Sequence, residues 1–247
     1  MVARQRVVDQ PAWVLHSYPW RETSLIVEVF AREHGRVGLV AKGARRPYSQ
    51  LRGVLLAFQP LRVDWSGGGE VKTLLRAQWQ GGQPLLSGRA LLCAYYLNEL
   101  LVRLLAREDP HPRLFDHYVA ALAELARGLP EAPILRRFEL VLLAELGYAV
   151  QLQHEADSGA ALETDARYRY VLEHGPQRIP AHAGQAMDEG PQEGLVSGQT
   201  LIDLGNDDFS RAQTLAEARV LLRLLINHVL GAQGLHSPRV LKELQEL

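Results

Sequence analysis

Between Arg36 and Val63 the chain carries six basic side chains, Arg36, Lys42, Arg45, Arg46, Arg52 and Arg62, and no Asp or Glu. The chemistry open to such a run is not covalent. Guanidinium and ammonium groups gathered without counter-charges bind phosphates, and a strand of phosphates gives up condensed counterions to them. The formal charge of the chain is only -1, so the excess is local: residues 1–80 hold 12 Lys+Arg and 6 Asp+Glu, and residues 81–247 hold the other 15 bases and 22 acids. A basic lobe joined to an acidic one is the footprint of a polyanion-binding module attached to a structural or protein-binding module. Within AKGARRPYSQLRG, Gly43 and Pro47 flank Arg45 and Arg46, which places the pair in a loop, and Tyr48 beside them offers a ring for a base to stack on. Neither a recognition helix nor the aromatics of an RNA-recognition sheet accompanies them, which favours single strands. Lys42, Arg45, Arg46 and Arg52 are the leading phosphate contacts. Arg36 and Arg62 stand in strands, where alternation decides which way each side chain turns.

Other chemistries find little support. One cysteine, Cys93, excludes a disulfide framework and a multi-cysteine zinc site, points to a reducing cytoplasmic compartment, and lies in an apolar helical run as a buried hydrophobe. The nine histidines form no i,i+4 pair on a helix. Trp65-Ser-Gly-Gly-Gly-Glu70 lacks the Lys-Ser/Thr ending of a phosphate loop and reads as a hairpin turn. Glu22, Glu28, Glu33, Asp64 and Glu70 are scattered over different strands and turns, against a nuclease centre. Asp207 and Asp208 precede a helix and favour its N-terminus. No catalytic residue, metal or cofactor is therefore assigned. The N-terminus lacks the apolar core of a signal peptide, and the apolar stretches stop short of the roughly 20 residues that span a bilayer.

The elements that must position the basic run are strands. AWVLHSY, TSLIVEVF, GRVGLVAKG, PLRVDW and EVKTLLRAQW, separated by turns at Pro19–Arg21, His34–Gly35 and Ser66–Gly69, predict five strands over residues 12–80 and a small closed barrel of the oligonucleotide-binding (OB) type. From Leu85 the period becomes helical. Helices are predicted from the N-cap Ser87 to about Ala106, over about Arg113–Arg127, and over about Ala132–Leu146 as the centre of a bundle. Residues 151–210 read as a loop-rich excursion with a small hairpin around Arg167–Glu173. A helix follows at about Ala212–Leu230, and Ser237-Pro238 opens a short last one. The fold class is thus α+β and multidomain: an OB-fold barrel over 1–80, then a helical domain over 81–247.

With these blocks in place the chain resembles the RecO family of bacterial recombination mediators. The resemblance runs from WVLHSYPWRETSLIVEVF through GRVGLVAKGARRPYSQLRG, YYLNELLVRLLARED and ILRRFELVLLAELGY to Tyr168-Arg169-Tyr170 and the C-terminus. It implies a barrel that binds single-stranded DNA, anneals complementary strands and helps load the strand-exchange protein RecA onto DNA coated by single-stranded DNA-binding protein, with RecR as collaborator, near the nucleoid. Many family members carry a four-cysteine zinc motif after the Gly-Tyr that ends the central helix. This chain has none, so the excursion is expected to be metal-free.

The acidic tail of single-stranded DNA-binding protein ends in a hydrophobic residue with a free carboxylate. Arg136 and Arg137, with Leu140 and Leu143 one and two turns along the face of Arg136, predict a groove with a cation at its rim for that tail. The alternative is that both arginines pair with Glu131, Glu139 or neighbouring helices. For the chain as a whole, the alternative is an adaptor whose basic barrel docks an acidic protein segment and binds no nucleic acid.

Overall fold

The structure, a computed structural model, describes residues 6–180, 194–231 and 234–235. The helix predicted at Ser237-Pro238 lies outside the described residues. By contacts the chain divides into two compact units, one running to Glu131 and one from Ala132 to Gly234.

In the first unit, β1 (Arg6–Trp20), β2 (Ser24–Ala31), β3 (Gly35–Ala41), β4 (Pro60–Ser66) and β5 (Val71–Trp79) close in the order β1-β2-β3-β5-β4. Every neighbouring pair is antiparallel except β3 with β5, which run parallel from Gly38↔Val71 to Val40↔Thr73. Closure removes the free edges that so small a sheet would otherwise expose. Val27, Val29, Val37, Leu39, Leu61 and Val63 fill the interior, each burial stabilising the fold by about 1.5–3 kcal/mol relative to exposure.

The other face of β2 is covered as well, which is why TSLIVEVF reads as a nearly unbroken apolar run. α3 (Pro112–Ala126) covers Phe30, α2 (Gly88–Leu104) packs against β1 and α3, and α1 (Leu51–Val54) lies between β3 and β4. Phe30 meets Phe115 and Tyr118 at ring-centroid distances of 5.4 and 6.0 Å. Buried Asn98 on α2 donates to the Leu15 carbonyl at 2.8 Å and accepts from the Tyr118 hydroxyl at 2.6 Å. A β-bulge between Val14 and His16 breaks the ladder there, and Asn98 satisfies the carbonyl that the bulge leaves over. Gly35, at φ +63°, lies so close to the α2–α3 connection that a Cβ would sit 1.9 Å from the Asp109 carbonyl oxygen.

β1 begins six residues before the predicted strand. Asp9, Gln10 and Pro11 look like a break, yet Gln10 and Pro11 pair with Val63 and Arg62, and a second bulge falls at Val8 and Asp9, where Asp9 takes φ 55° and donates its N–H to Asp64 Oδ1 at 2.7 Å.

The second unit holds α4 (Glu131–Glu145, whose first residue belongs to the first unit), β6 (Arg167–Val171), β7 (Gly175–Arg178), β8 (Leu195–Ser197), α5 (Gly198–Gly205) and α6 (Ala212–Leu230). The strands order as β7-β6-β8. Tyr168 and Tyr170 project from one face of β6 and pin the preceding loop. Tyr168 Oη accepts from the Glu163 N–H at 3.0 Å and donates to Glu155 at 3.2 Å, and Tyr170 Oη accepts from the Gln151 N–H at 2.8 Å. Buried Glu155 also accepts from Ser158 Oγ at 2.5 Å, and Arg178 binds Glu163 with both terminal nitrogens at 2.7 and 2.5 Å. Hydrogen bonds and ion pairs thus organise the excursion, and its α5 and β8 were not predicted.

Candidate nucleic-acid interface

The β1–β2 turn, residues 21–23, and the loop from Lys42 to Gln50 meet at one end of the barrel. The Arg45 backbone N–H donates to the Thr23 carbonyl at 2.9 Å, and its Nη1 lies 3.4 Å from the carbonyls of both Arg21 and Glu22. Gly43 takes φ +70°, a conformation that side chains other than glycine, Asn and Asp rarely adopt, and Arg46 folds back along it with Cδ and Nε 3.5 Å from where a Cβ would stand. Lys42, Arg45, Arg46 and Arg52 are all exposed, and among the described residues none of them forms an ion pair. Tyr48 is 99% exposed. Four cations without counter-charges and a bare ring therefore share one end of the barrel.

Two of the six predicted cations turn elsewhere. Arg36 is drawn into a paired cluster: its Nε donates to the Leu105 carbonyl at 3.1 Å and its Nη1 lies 3.4 Å from buried Glu28. Arg107 binds the same Glu28 and reaches Glu70 at 2.5 Å, while Lys72 binds Glu108 at 2.7 Å. Three carboxylates neutralise three cations, and the cluster ties the barrel to the segment after α2. Burial holds the Arg36 guanidinium below its ordinary pKa even with Glu28 beside it. Arg62 donates to the Asp9 carbonyl at 2.8 Å and its carboxylate at 3.3 Å, so it braces the β1 bulge.

The same barrel end holds Trp20 and Arg21, which the sequence presents only as part of a turn. The signal that would have found them is the alternation His16, Tyr18, Trp20 running into that turn.

On α4 the groove gives way to the alternative reading. Arg136 is buried and donates to Glu139 at 2.7 Å, and Leu143 is fully buried in the core. Arg137 donates its Nε to Asp207 at 2.9 and 3.1 Å and lies over the Phe209 ring at 5.5 Å. Leu140, like Arg137, is half-buried. The cause is helix geometry: residues three apart share a face, so Glu139 meets Arg136 before any external carboxylate does. Asp207 therefore serves Arg137, while Asp208 accepts from the Ser210 N–H at 2.9 Å ahead of α6.

Among the described residues no helix is long and apolar enough to cross a membrane, and no group of three or more His, Cys, Asp or Glu is gathered as a metal would require.

Family models for the N-terminal and C-terminal parts of Recombination protein O match residues 6–82 and 85–239. The chain is 64% identical to the DNA repair protein RecO of Aromatoleum aromaticum and 61% identical to that of an Azoarcus species, with all of both chains covered in each case. It is 51% identical to the DNA repair protein RecO of Dechloromonas aromatica over the full length of both.

Proposed function

Since the chain belongs to the RecO family of DNA repair proteins, we propose that it is a recombination mediator that works by binding and annealing single-stranded DNA rather than by covalent catalysis. The observation that supports this most is the cluster of Lys42, Arg45, Arg46 and Arg52, exposed and without carboxylate partners beside the bare ring of Tyr48. Two complementary strands repel one another through their phosphates. A basic surface that touches backbone and leaves base edges free lowers that repulsion while pairing proceeds.

In this reading residues 1–80 are the DNA-binding domain, and residues 81–247 carry the protein contacts, in the cytoplasm at the nucleoid. Those contacts are single-stranded DNA-binding protein and RecR, and together they permit loading of RecA. An acidic tail would reach Arg137 only by displacing Asp207, and Arg136 only by displacing Glu139.

Annealing of complementary oligonucleotides, measured with and without a coat of single-stranded DNA-binding protein, tests the proposal. Acceleration in both states is expected. If the chain binds neither coated nor naked strands but does bind an acidic peptide, it is an adaptor.

A further inference from the structure

Residues 16–20 of β1 are all exposed, and this half of the strand has only β2 as a neighbour. The pairing runs without interruption from His16↔Glu28 to Trp20↔Ser24. Side chains alternate along a strand, so His16, Tyr18 and Trp20 share one face at steps of about 6.6 Å. The rings of His16 and Tyr18 lie 6.0 Å apart. Arg21 ends the row. It takes φ 53° and places its guanidinium carbon 6.0 Å from the centroid of the Trp20 ring. The carbonyls of Arg21 and Glu22 in turn face Nη1 of Arg45, which joins the aromatic row to the basic loop.

We propose that His16, Tyr18 and Trp20 form a stacking track for the bases of the single strand whose phosphates lie on Lys42, Arg45 and Arg46, with Trp20 the principal platform. This rests on the DNA-binding reading above and adds to it the path of the strand and the groups that hold its bases. The occupant follows from the chemistry of the surface. Flat rings take π-faces of any base, and the cations at the end of the row match a polyanion. Stacking also engages the face of a base and leaves its pairing edge open, which annealing needs. A sheet face that gripped base edges would hold a strand and block its partner.

Tryptophan fluorescence separates this site from the rest of the barrel. Trp13 and Trp65 are buried, whereas Trp20 and Trp79 are 42% and 54% exposed. Titration with oligothymidylate should quench the wild-type protein and Trp79→Phe, and leave Trp20→Phe, which keeps a ring for stacking, largely unquenched. Quenching that survives in Trp20→Phe and disappears in Trp79→Phe would place the bases on another face and overturn the proposal.

Affinity supplies the second arm, read by anisotropy with labelled oligothymidylate and with an abasic oligomer of the same length. Trp20→Ala should weaken thymidylate binding about tenfold and leave abasic binding unchanged. Equal thymidylate affinity in Trp20→Ala and wild type refutes the track while leaving the basic loop as the DNA site. Failure of the wild type to bind either oligomer refutes the DNA-binding reading itself, and the track with it.

Discussion

Arg45 holds the carbonyls of Arg21 and Glu22 with its side chain and that of Thr23 with its backbone, whereas its neighbour Arg46 lies along Gly43 and among the described residues forms no ion pair. Adjacent arginines in one loop thus do different things. Arg45 is both a charge and a strut for the β1–β2 turn. Arg46 is a charge.

The two should therefore separate on substitution. Arg46→Ala is expected to flatten the salt dependence of oligonucleotide binding by about 0.7, one phosphate contact on a single strand, without changing the turn. Arg45→Ala should flatten the slope similarly and also speed amide hydrogen exchange at Glu22 and Thr23. Equal exchange in the two variants would remove the strut.

Asn98 ties α2 to the barrel and to α3 through buried polar groups. Asn98→Ala strands the buried Leu15 carbonyl, worth about 1–3 kcal/mol when unsatisfied, and removes the Tyr118–Asn98 hydrogen bond, so a loss of about 2–4 kcal/mol is expected. Tyr118→Phe, which removes only the hydroxyl, should cost about 1 kcal/mol. Urea unfolding read by tryptophan fluorescence suits the comparison, since all four tryptophans lie in the first unit. A loss under about 0.5 kcal/mol in Asn98→Ala would contradict the assignment.

His34 gives the first unit a pH dependence. Its ring stands edge-on to Trp65 at 5.1 Å, with Nδ1 buried and unpartnered. Burial holds its pKa below 6.5 against the smaller opposing pull of Glu33 and Glu108. The folded state therefore disfavours the proton. Stability from this site is complete above about pH 6.5 and is lost as pH falls through the depressed folded value. Thermal midpoints between pH 8 and 5 should fall less in His34→Phe than in wild type, and parallel curves would rule His34 out as the cause.

Much of the fold was legible because local pattern and tertiary demand agree. The alternation in PLRVDW matches the buried face of β4, and the helical spacing of Ala94, Asn98 and Leu101 matches the buried face of α2, whereas Tyr95 at the same spacing is 50% exposed. What escaped depends on partners distant in sequence. Arg36 and Arg46 look alike in the chain, yet Arg36 is neutralised by Glu28 on β2 and shares it with Arg107, some 70 residues on. α5 lies in a Gly- and Pro-rich stretch and forms where the Ser197 hydroxyl accepts from the Thr200 N–H at 3.2 Å. Gly198 beside it lies so close to the Glu163 carbonyl that a Cβ would meet its oxygen at 1.9 Å. Arg136 was misplaced because a helix three-residue pair, Arg136 with Glu139, satisfied locally what the sequence equally offered to an outside carboxylate.

The central claim, that the loop after β3 binds single strands by neutralising phosphates, is tested most directly by the salt dependence of oligothymidylate affinity in wild type and in the Arg45→Ala/Arg46→Ala double variant. Three or four contacts predict a slope of log affinity against log salt of about -2 to -3 for the wild type, and the double variant should flatten it by about 1.4. A folded double variant with unchanged affinity and unchanged slope would contradict the account, and the exposed cations would then belong to another partner.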